Sequence, residues 1–169
     1  MKLIIINGPC GVGKSSLAKR LHDDRPLSFL LDVDAQARFI SHYREFREER
    51  WEMTLAITKA ILHAMFKLGR TVIVDKMTYV SSVLDAYYDI AQQYDIEVHE
   101  ITLWADKETV LSRANARGYH EGGLLTPERV CDFWHCIEEL LKERDVSEVI
   151  NTTSLSEDQV YTLVSDLVK

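Results

Sequence analysis

Residues 8–15 read Gly-Pro-Cys-Gly-Val-Gly-Lys-Ser and fit the pattern G-x-x-x-x-G-K-[ST] at every position. An apolar, β-branched run at 3–7 precedes this segment, and a stretch with helical spacing follows it at 14–22. The pattern binds phosphate in that setting, between a strand and a helix. A chance match in a chain of this length has a probability of roughly 1%. Residues 8–15 therefore predict a phosphate-binding loop.

The chemistry of this loop depends on its three glycines and on the helix that follows them. Glycine lets consecutive backbone N–H groups curl around an anion, and a helix N-terminus adds partial positive charge. We expect Lys14 to reach the β- and γ-phosphates and the Ser15 hydroxyl to take one Mg²⁺ position. We expect the helix N-terminus to lower the pKa of the Cys10 thiol. The candidate nucleotide-binding residues are Gly8, Pro9, Cys10, Gly11, Val12, Gly13, Lys14, Ser15 and Ser16.

Five short apolar runs alternate with longer stretches of helical spacing. The runs lie at 3–7, 29–33, 71–75, 98–104 and 148–151, and the helical stretches at 14–22, 34–68, 81–94, 107–117, 127–144 and 157–168. The stretch 34–68 is long enough for two helices. Thr126-Pro127 and Ser156-x-x-Gln159 are typical helix starts. The alternation predicts an α/β fold, a doubly wound parallel sheet with helices on both faces.

Length and composition narrow the function classes. The chain has 169 residues and a formal net charge of −7, from 20 Lys and Arg against 27 Asp and Glu. This length favours a single domain over 1–169, and the acidic balance argues against duplex nucleic acid, which needs a basic face. The apolar start is too short for a signal peptide or a membrane span, and the three cysteines lack a disulfide framework spacing. We therefore expect a cytoplasmic protein without a membrane partner.

Acidic residues lie at the ends of two predicted strands, at Asp32, Asp34 and Asp75. Ligands bind open α/β sheets outside the carboxyl ends of the strands, so we expect these carboxylates near the phosphate loop. A carboxylate in that place holds Mg²⁺ or accepts a proton from an attacking hydroxyl. The alternative interpretation is a helix cap or turn residue, and for Asp32 the two interpretations carry equal weight.

Arg113 and Arg117 are four residues apart on a predicted helix, so they share one face. The following residues, 118–127, contain three glycines and re-enter a helix at Pro127. This arrangement is typical of a mobile lid, at about 113–127, that brings two cations onto phosphate charge. The alternative is a solvated helix end, where the helix dipole favours arginine.

Taken in order, these motifs resemble the small P-loop kinases of the adenylate-kinase-like group over nearly all 169 residues. That group includes gluconate and shikimate kinases, chloramphenicol phosphotransferase and the kinase domain of polynucleotide kinase. The resemblance rests on the loop at 8–15, Asp-x-Asp at 32–34, a strand ending at Asp75, Arg-x-x-x-Arg at 113–117 and a last strand ending at Asn151. The loop is specific by itself, and the other motifs gain weight from their order.

The resemblance implies the fold of a P-loop NTPase, a three-layer sandwich with five parallel strands in the order 2-3-1-4-5 and a short lid. It implies ATP and Mg²⁺ as cofactors. The candidate metal residues are Ser15, Asp32 and Asp75. Asp34 would lie on the acceptor side as the candidate base, although Asp32 remains open for that role.

The resemblance also assigns residues to the nucleotide and to catalysis. Its catalytic set corresponds here to Lys14, Asp34, Arg113 and Arg117. The two arginines would contact the ATP phosphates, and the loop after Asn151 would lie near the adenine. Arg113 and Asn151 thus join residues 8–16 as candidate nucleotide-binding residues.

The acceptor side differs from each of these relatives. Shikimate kinases usually have glycines where Asp75 stands, and the Asp-x-x-Arg of polynucleotide kinases is not matched, because Asp34 and Arg38 are one residue too far apart. The acceptor signature of gluconate kinases is not evident. Lys76, directly after Asp75, is unusual and either pairs with Asp75 or reaches the substrate. Three arginines within 44–50 stand where such kinases bind the acceptor, although ordinary pairing on a helix surface also explains them.

The leading hypothesis is an enzyme that transfers phosphoryl groups from ATP to a hydroxyl of a small molecule, as a monomer or homodimer. The second is a 5′-hydroxyl nucleoside or polynucleotide kinase, for which a short oligonucleotide end needs only a local basic groove. The third is a regulatory protein that binds or hydrolyses ATP without an acceptor. The chain lacks the guanine-specific Asn/Thr-Lys-x-Asp and an Asp-x-x-Gly after the third strand, which argues against a GTPase.

Overall fold

A five-stranded parallel sheet forms the centre of the computed structural model, which describes residues 1–118, 125–145 and 148–169. The strands are β1 (Lys2–Asn7), β2 (Phe29–Asp32), β3 (Val72–Asp75), β4 (Glu97–Trp104) and β5 (Glu148–Asn151). The helices assigned in these residues are α1 (Lys14–Asp23), α2 (Val33–Ala37), α3 (Arg47–Lys67), α4 (Ser81–Gln93), α5 (Lys107–Arg117), α6 (Pro127–Glu143) and α7 (Glu157–Leu167). The strand order β2-β3-β1-β4-β5 confirms the order that the family resemblance implied.

Helices cover both faces of the sheet, and alternate residues of β1 pack into two separate cores. Ile4 and Ile6 pack with residues of α1, α5 and α7, whereas Leu3 and Ile5 pack with residues of α3, α4 and α6. All four side chains are fully buried. A strand covered on both faces is apolar at every position, which explains the unbroken apolar run at 3–6. The layers form the predicted three-layer sandwich.

Three strands end side by side at the carboxyl edge of the sheet. The register pairs Ile6 of β1 with Asp75 of β3, and Asp75 with Asp32 of β2. Residues 8–13 leave β1 at this edge and lead into α1. The strand order therefore brings the phosphate loop and two of the candidate carboxylates together, as expected for a ligand site in an open α/β sheet.

Helix boundaries follow the capping chemistry of the sequence. The predicted stretch 34–68 corresponds to two helices, α2, which begins one residue earlier at Val33, and α3, and residues 38–46 separate them. Strand β2 ends at Asp32, one residue earlier than predicted, because the Asp32 side chain caps α2. The predicted helix starts at Thr126 and Ser156 are confirmed, since each side chain accepts a hydrogen bond from the backbone N–H three residues later.

The predicted lid is described only at its two ends. Arg113 and Arg117 lie on α5, which ends at Arg117 and is followed by Gly118 with φ +82°. The part of the lid at 119–124 lies outside the described residues. Within the described ranges, no helix is long and apolar enough to cross a membrane.

Candidate functional site

The phosphate loop adopts backbone conformations that favour glycine. Gly8, Gly11 and Gly13 have φ values of +133°, +78° and +96°. A Cβ atom on Gly8 would lie 2.1 Å from the carbonyl oxygen of Leu103, so the loop packs directly on the end of β4. A Cβ atom on Gly11 would lie 3.3 Å from the Cβ of Arg113. The glycines thus permit both the curl of the backbone and its close contact with β4 and α5.

Lys14 is enclosed by the loop that precedes it. Its Nζ donates a hydrogen bond of 2.8 Å to the carbonyl oxygen of Pro9. Burial lowers the pKa of Lys14, while the charges of Cys10, Asp75 and Asp34 act in the opposite direction. The ammonium therefore lies within the electrostatic reach of both candidate carboxylates, inside a curl of backbone that suits an anion.

The expectation that the pKa of the Cys10 thiol is lowered was wrong. Burial raises the pKa of Cys10 and outweighs the nearby charges of Lys14 and Arg117, which lower it. The helix N-terminus therefore does not make this thiol acidic, because desolvation disfavours the thiolate more strongly than the local positive charge favours it. Its sulfur lies 4.0 Å from the sulfur of Met77.

Ser15 and Asp75 are two of the three residues that the sequence predicts for Mg²⁺. The Ser15 side chain lies beside the Asp75 carboxylate, and Asp75 is only 8% exposed. Burial raises the pKa of Asp75 and outweighs the opposing effects of the Ser15 hydroxyl and the charge of Lys14. A hydroxyl and a carboxylate beside a backbone cradle are the oxygen ligands that Mg²⁺ prefers when it is bound with a nucleotide. The donor set of Ser15 and Asp75 therefore fits this ion.

Asp32 and Asp34 have different partners. One oxygen of Asp32 accepts the backbone N–H of Ala35 at 2.8 Å, which is the helix-cap role that the sequence left open for this residue. The carboxylate of Asp34 forms an ion pair with the Nζ of Lys76. Lys76 thus pairs with Asp34 and not with its neighbour Asp75. The three carboxylates are brought to the same edge of the sheet and are held there by three different contacts.

The two arginines of α5 face the loop side of the sheet. Arg113 donates to the hydroxyl and carbonyl oxygens of Thr152, at 3.1 and 2.8 Å, and to the carbonyl oxygen of Thr153 at 3.4 Å. Arg117 is exposed, and its positive charge lowers the pKa values of Lys14 and Cys10. Arg113 therefore connects α5 to the segment after β5, and Arg117 lies within electrostatic reach of the loop.

A cavity of about 430 Å³ lies beside the loop, between α1, α5 and α7. Its volume falls in the range of roughly 300–1,000 Å³ that small-molecule sites occupy. Part of its wall comes from the loop and both arginines, and part from the segment after β5. Residues of α1 and α7 complete the wall, and the lining residues include Gly11, Gly13, Ser16, Arg113, Arg117, Thr152, Leu155 and Tyr161.

A sequence model described as an AAA domain matches residues 3–136. The chain belongs to this AAA domain family. The matched range contains the phosphate loop, the three candidate aspartates and both arginines of α5. No curated protein matches the chain in sequence.

Solved structures with the same fold match over nearly the whole chain. The tunicamycin resistance protein of Deinococcus radiodurans is 23% identical with a TM-score of 0.66, covering 99% of this chain and 95% of that one. A gluconokinase from Sinorhizobium meliloti 1021 is 15% identical with a TM-score of 0.67 and the same coverage. Deoxyadenosine kinase from M. mycoides is 16% identical with a TM-score of 0.59, covering 98% of both chains. These likenesses confirm that this AAA domain has the fold of a small P-loop kinase.

Asn7 and Thr152 make contacts in this P-loop kinase fold that the sequence did not predict. Buried Asn7 receives the N–H groups of Gly8 and Thr78 on its side-chain oxygen, at 2.8 and 3.0 Å, and donates to the Thr78 carbonyl at 2.8 Å. It thereby joins the start of the loop to the segment after β3. Asn151 is exposed and accepts the N–H of Thr153 at 2.9 Å, whereas Thr152, one residue later, lines the cavity. Only long-range contacts reveal these roles.

Proposed function

We propose that this protein is a kinase that transfers the γ-phosphoryl group of ATP to a hydroxyl of a small-molecule acceptor. The observation that carries the proposal is that two carboxylates near the phosphate loop, those of Asp75 and Asp34, have different partners. The carboxylates of Asp75 and Asp34 both raise the pKa of Lys14, yet Asp75 lies beside Ser15, whereas Asp34 forms an ion pair with Lys76. A protein that only binds ATP needs the Ser15–Asp75 pair, whereas an acceptor hydroxyl needs a second carboxylate to take its proton.

In the proposed reaction, the acceptor oxygen bonds to the γ-phosphorus while the bond from that phosphorus to the β,γ-bridging oxygen breaks. ADP leaves with the electron pair of that bond, and Asp34 accepts the proton of the hydroxyl. Lys14 and Arg117 orient the phosphates and balance their charge. Ser15 and Asp75 would hold Mg²⁺, which neutralises charge on the β- and γ-phosphates when it is bound. The cavity lined by Thr152 and its neighbours would receive the adenine.

A nucleoside acceptor is the second candidate, and one region of the surface favours it. A cavity of about 410 Å³ is lined by Arg47, Glu48, Arg50, Trp51 and Glu52, at the start of α3. Phe46 and Trp51 are exposed beside these arginines. Aromatic and guanidinium groups together stack on nucleobases. The net charge of −7 argues against a long polymer as the acceptor, so this second candidate is limited to a nucleoside or a short 5′-hydroxyl end.

The test is the release of ADP from Mg²⁺-ATP across a panel of acceptors. The panel contains gluconate, deoxyadenosine, tunicamycin and a 5′-hydroxyl oligonucleotide. Lys14→Ala serves as the inactive variant, and Lys19→Ala as its matched control, because Lys19 lies on the same helix and pairs with Asp23 at 2.9 Å on the surface. We expect one acceptor class to accelerate ADP release in the wild type and in Lys19→Ala but not in Lys14→Ala. Tight ATP binding with equal rates for every acceptor would favour a regulatory ATP-binding protein.

A further inference from the structure

Lys76 is adjacent in sequence to Asp75, the candidate Mg²⁺ ligand, and pairs with Asp34, the candidate base. It follows Asp75 directly at the end of β3, and its backbone N–H donates to the carbonyl oxygen of Ile6 at 3.3 Å. The pairing of β3 with β1 therefore continues one residue beyond the strand. This places the backbone of Lys76 at the edge of the sheet, while its side chain, 28% exposed, extends to the carboxylate of Asp34.

Asp34 is on a backbone that is held independently of Lys76. It lies in the first turn of α2, which Asp32 caps through the N–H of Ala35 and which buries Val33 in the core. The side chain of Asp34, in contrast, is 66% exposed. A carboxylate on a short, exposed side chain samples several rotamers unless a partner selects one of them.

The stability that this ion pair contributes to the fold is small. Double-mutant cycles on exposed Lys–carboxylate pairs give little net stabilisation, because water screens the charges and two side chains lose rotamer freedom. The geometric effect is different, since the pair joins a side chain at the end of β3 to one on α2, 42 residues earlier in the chain. The contact therefore acts on the position of the carboxylate rather than on the free energy of unfolding.

We propose that Lys76 is a positioning residue that holds the carboxylate of Asp34 in place to receive the acceptor proton. This inference rests on the proposed kinase function. Two adjacent residues then serve opposite sides of the reaction: Asp75 lies beside Ser15 on the nucleotide side, and Lys76 pairs with Asp34 on the acceptor side. Both contacts are possible because Asp75 and Lys76 are neighbours at the end of β3. A small displacement of a reacting group lowers a rate by about 100-fold, so this contact matters for turnover.

The test compares Lys76→Met, Lys76→Arg, Asp34→Asn and the double variant Lys76→Met/Asp34→Asn. Lys142→Met is the matched control, because Lys142 forms an exposed ion pair with Glu139 at 2.7 Å on α6. The rates of ADP release are measured with Mg²⁺-ATP and each acceptor of the same panel. Binding of Mg²⁺-ATP and the thermal midpoint of unfolding are measured for every variant.

We expect Lys76→Met to lower kcat by about 10- to 100-fold, with unchanged ATP binding and an unchanged thermal midpoint. Lys76→Arg restores most of the rate, because a guanidinium also pairs with a carboxylate. Asp34→Asn lowers the rate by about 100-fold or more, and adding Lys76→Met to it lowers the rate no further. Lys142→Met retains the wild-type rate.

Each contrary result has a distinct meaning. A wild-type rate in Lys76→Met, or losses that multiply fully in the double variant, would show that Lys76 does not act through Asp34. Weaker ATP binding in Lys76→Met would assign Lys76 to the nucleotide instead. A wild type that no acceptor accelerates would overturn the kinase proposal itself, and with it this role for Lys76.

Discussion

The guanidinium of Arg113 donates hydrogen bonds of 3.1 and 2.8 Å to the hydroxyl and carbonyl oxygens of Thr152. The hydroxyl of Thr152 in turn donates a hydrogen bond of 3.0 Å to the carbonyl oxygen of Trp104, at the end of β4. This chain of contacts joins α5 to the segment after β5 and forms one wall of the 430 Å³ cavity. Arg113 therefore shapes the site expected to hold the nucleotide, in addition to its predicted contact with phosphate.

Replacing Arg113 by Lys is expected to weaken the binding of ATP. A lysine has one ammonium on a flexible stem and does not reproduce a planar fork that contacts two oxygens of Thr152. We expect the dissociation constant for Mg²⁺-ATP to rise by about tenfold, which corresponds to roughly 1.4 kcal/mol. Calorimetric titration measures the change. Arg70→Lys is the control, since Arg70 is exposed next to β3, and an equal effect of both substitutions would contradict the assigned role.

Replacing Gly8 by Ala is expected to destabilise the protein and abolish ATP binding. The new Cβ would lie 2.1 Å from the carbonyl oxygen of Leu103, and the backbone φ of +133° disfavours any side chain. We expect the free energy of unfolding to fall by about 3 kcal/mol, as measured by urea titration. Gly69→Ala is the matched control, because Gly69 has φ +69° and no atom within 4 Å of the new Cβ. That variant should lose only about 1 kcal/mol.

Removing one partner of a buried ion pair outside the site is expected to destabilise the fold. Arg144 contacts both oxygens of Glu100 at 3.2 and 3.0 Å, and Glu100 is 2% exposed in the middle of β4. Arg144→Ala leaves a buried carboxylate unpaired, and we expect the free energy of unfolding to fall by about 3–5 kcal/mol. The double variant Arg144→Met/Glu100→Met should recover most of this loss. A double variant as unstable as Arg144→Ala would show that packing, and not the unpaired charge, causes the effect.

Asp75→Asn is expected to make the fold more stable at neutral pH while it removes Mg²⁺-dependent turnover. Burial raises the pKa of Asp75, so ionising this group costs more in the folded state than in the unfolded state. The wild type therefore recovers stability as the pH falls through that raised pKa towards about 3.9, the value for an unfolded chain. The gain in thermal midpoint of Asp75→Asn should be largest near pH 7 and should shrink towards pH 4. Turnover should fall by more than about 100-fold at every pH.

A stability gain in Asp75→Asn that did not change with pH would contradict the electrostatic explanation. Asp166→Asn is the control for charge removal in general, because Asp166 is an exposed residue that pairs with Lys169 at 2.5 Å. Its thermal midpoint should follow the wild type at both pH values.

Local sequence patterns were sufficient to predict the fold class and several helix boundaries of this protein. The pattern at 8–15 and the alternation of apolar runs with helical stretches predicted the α/β fold, and the strand order came from the family resemblance carried by the same motifs. Helix starts at Thr126 and Ser156 were readable because a capping side chain bonds a backbone N–H only three residues away. Interactions over such short separations depend on neighbouring residues and need no knowledge of the whole fold.

Tertiary structure alone decided which polar side chains meet. The partner of Lys76 is Asp34 and not the adjacent Asp75, and Arg113 binds Thr152 rather than standing free. Burial likewise reversed the expected direction of the pKa of Cys10. Each of these outcomes joins residues brought together by the order of strands in the sheet, or depends on how completely a side chain is desolvated. The distance between two residues along the chain indicates neither whether the strand order brings them together nor how far their side chains are desolvated. The contacts within the site are therefore known only from the assembled sheet.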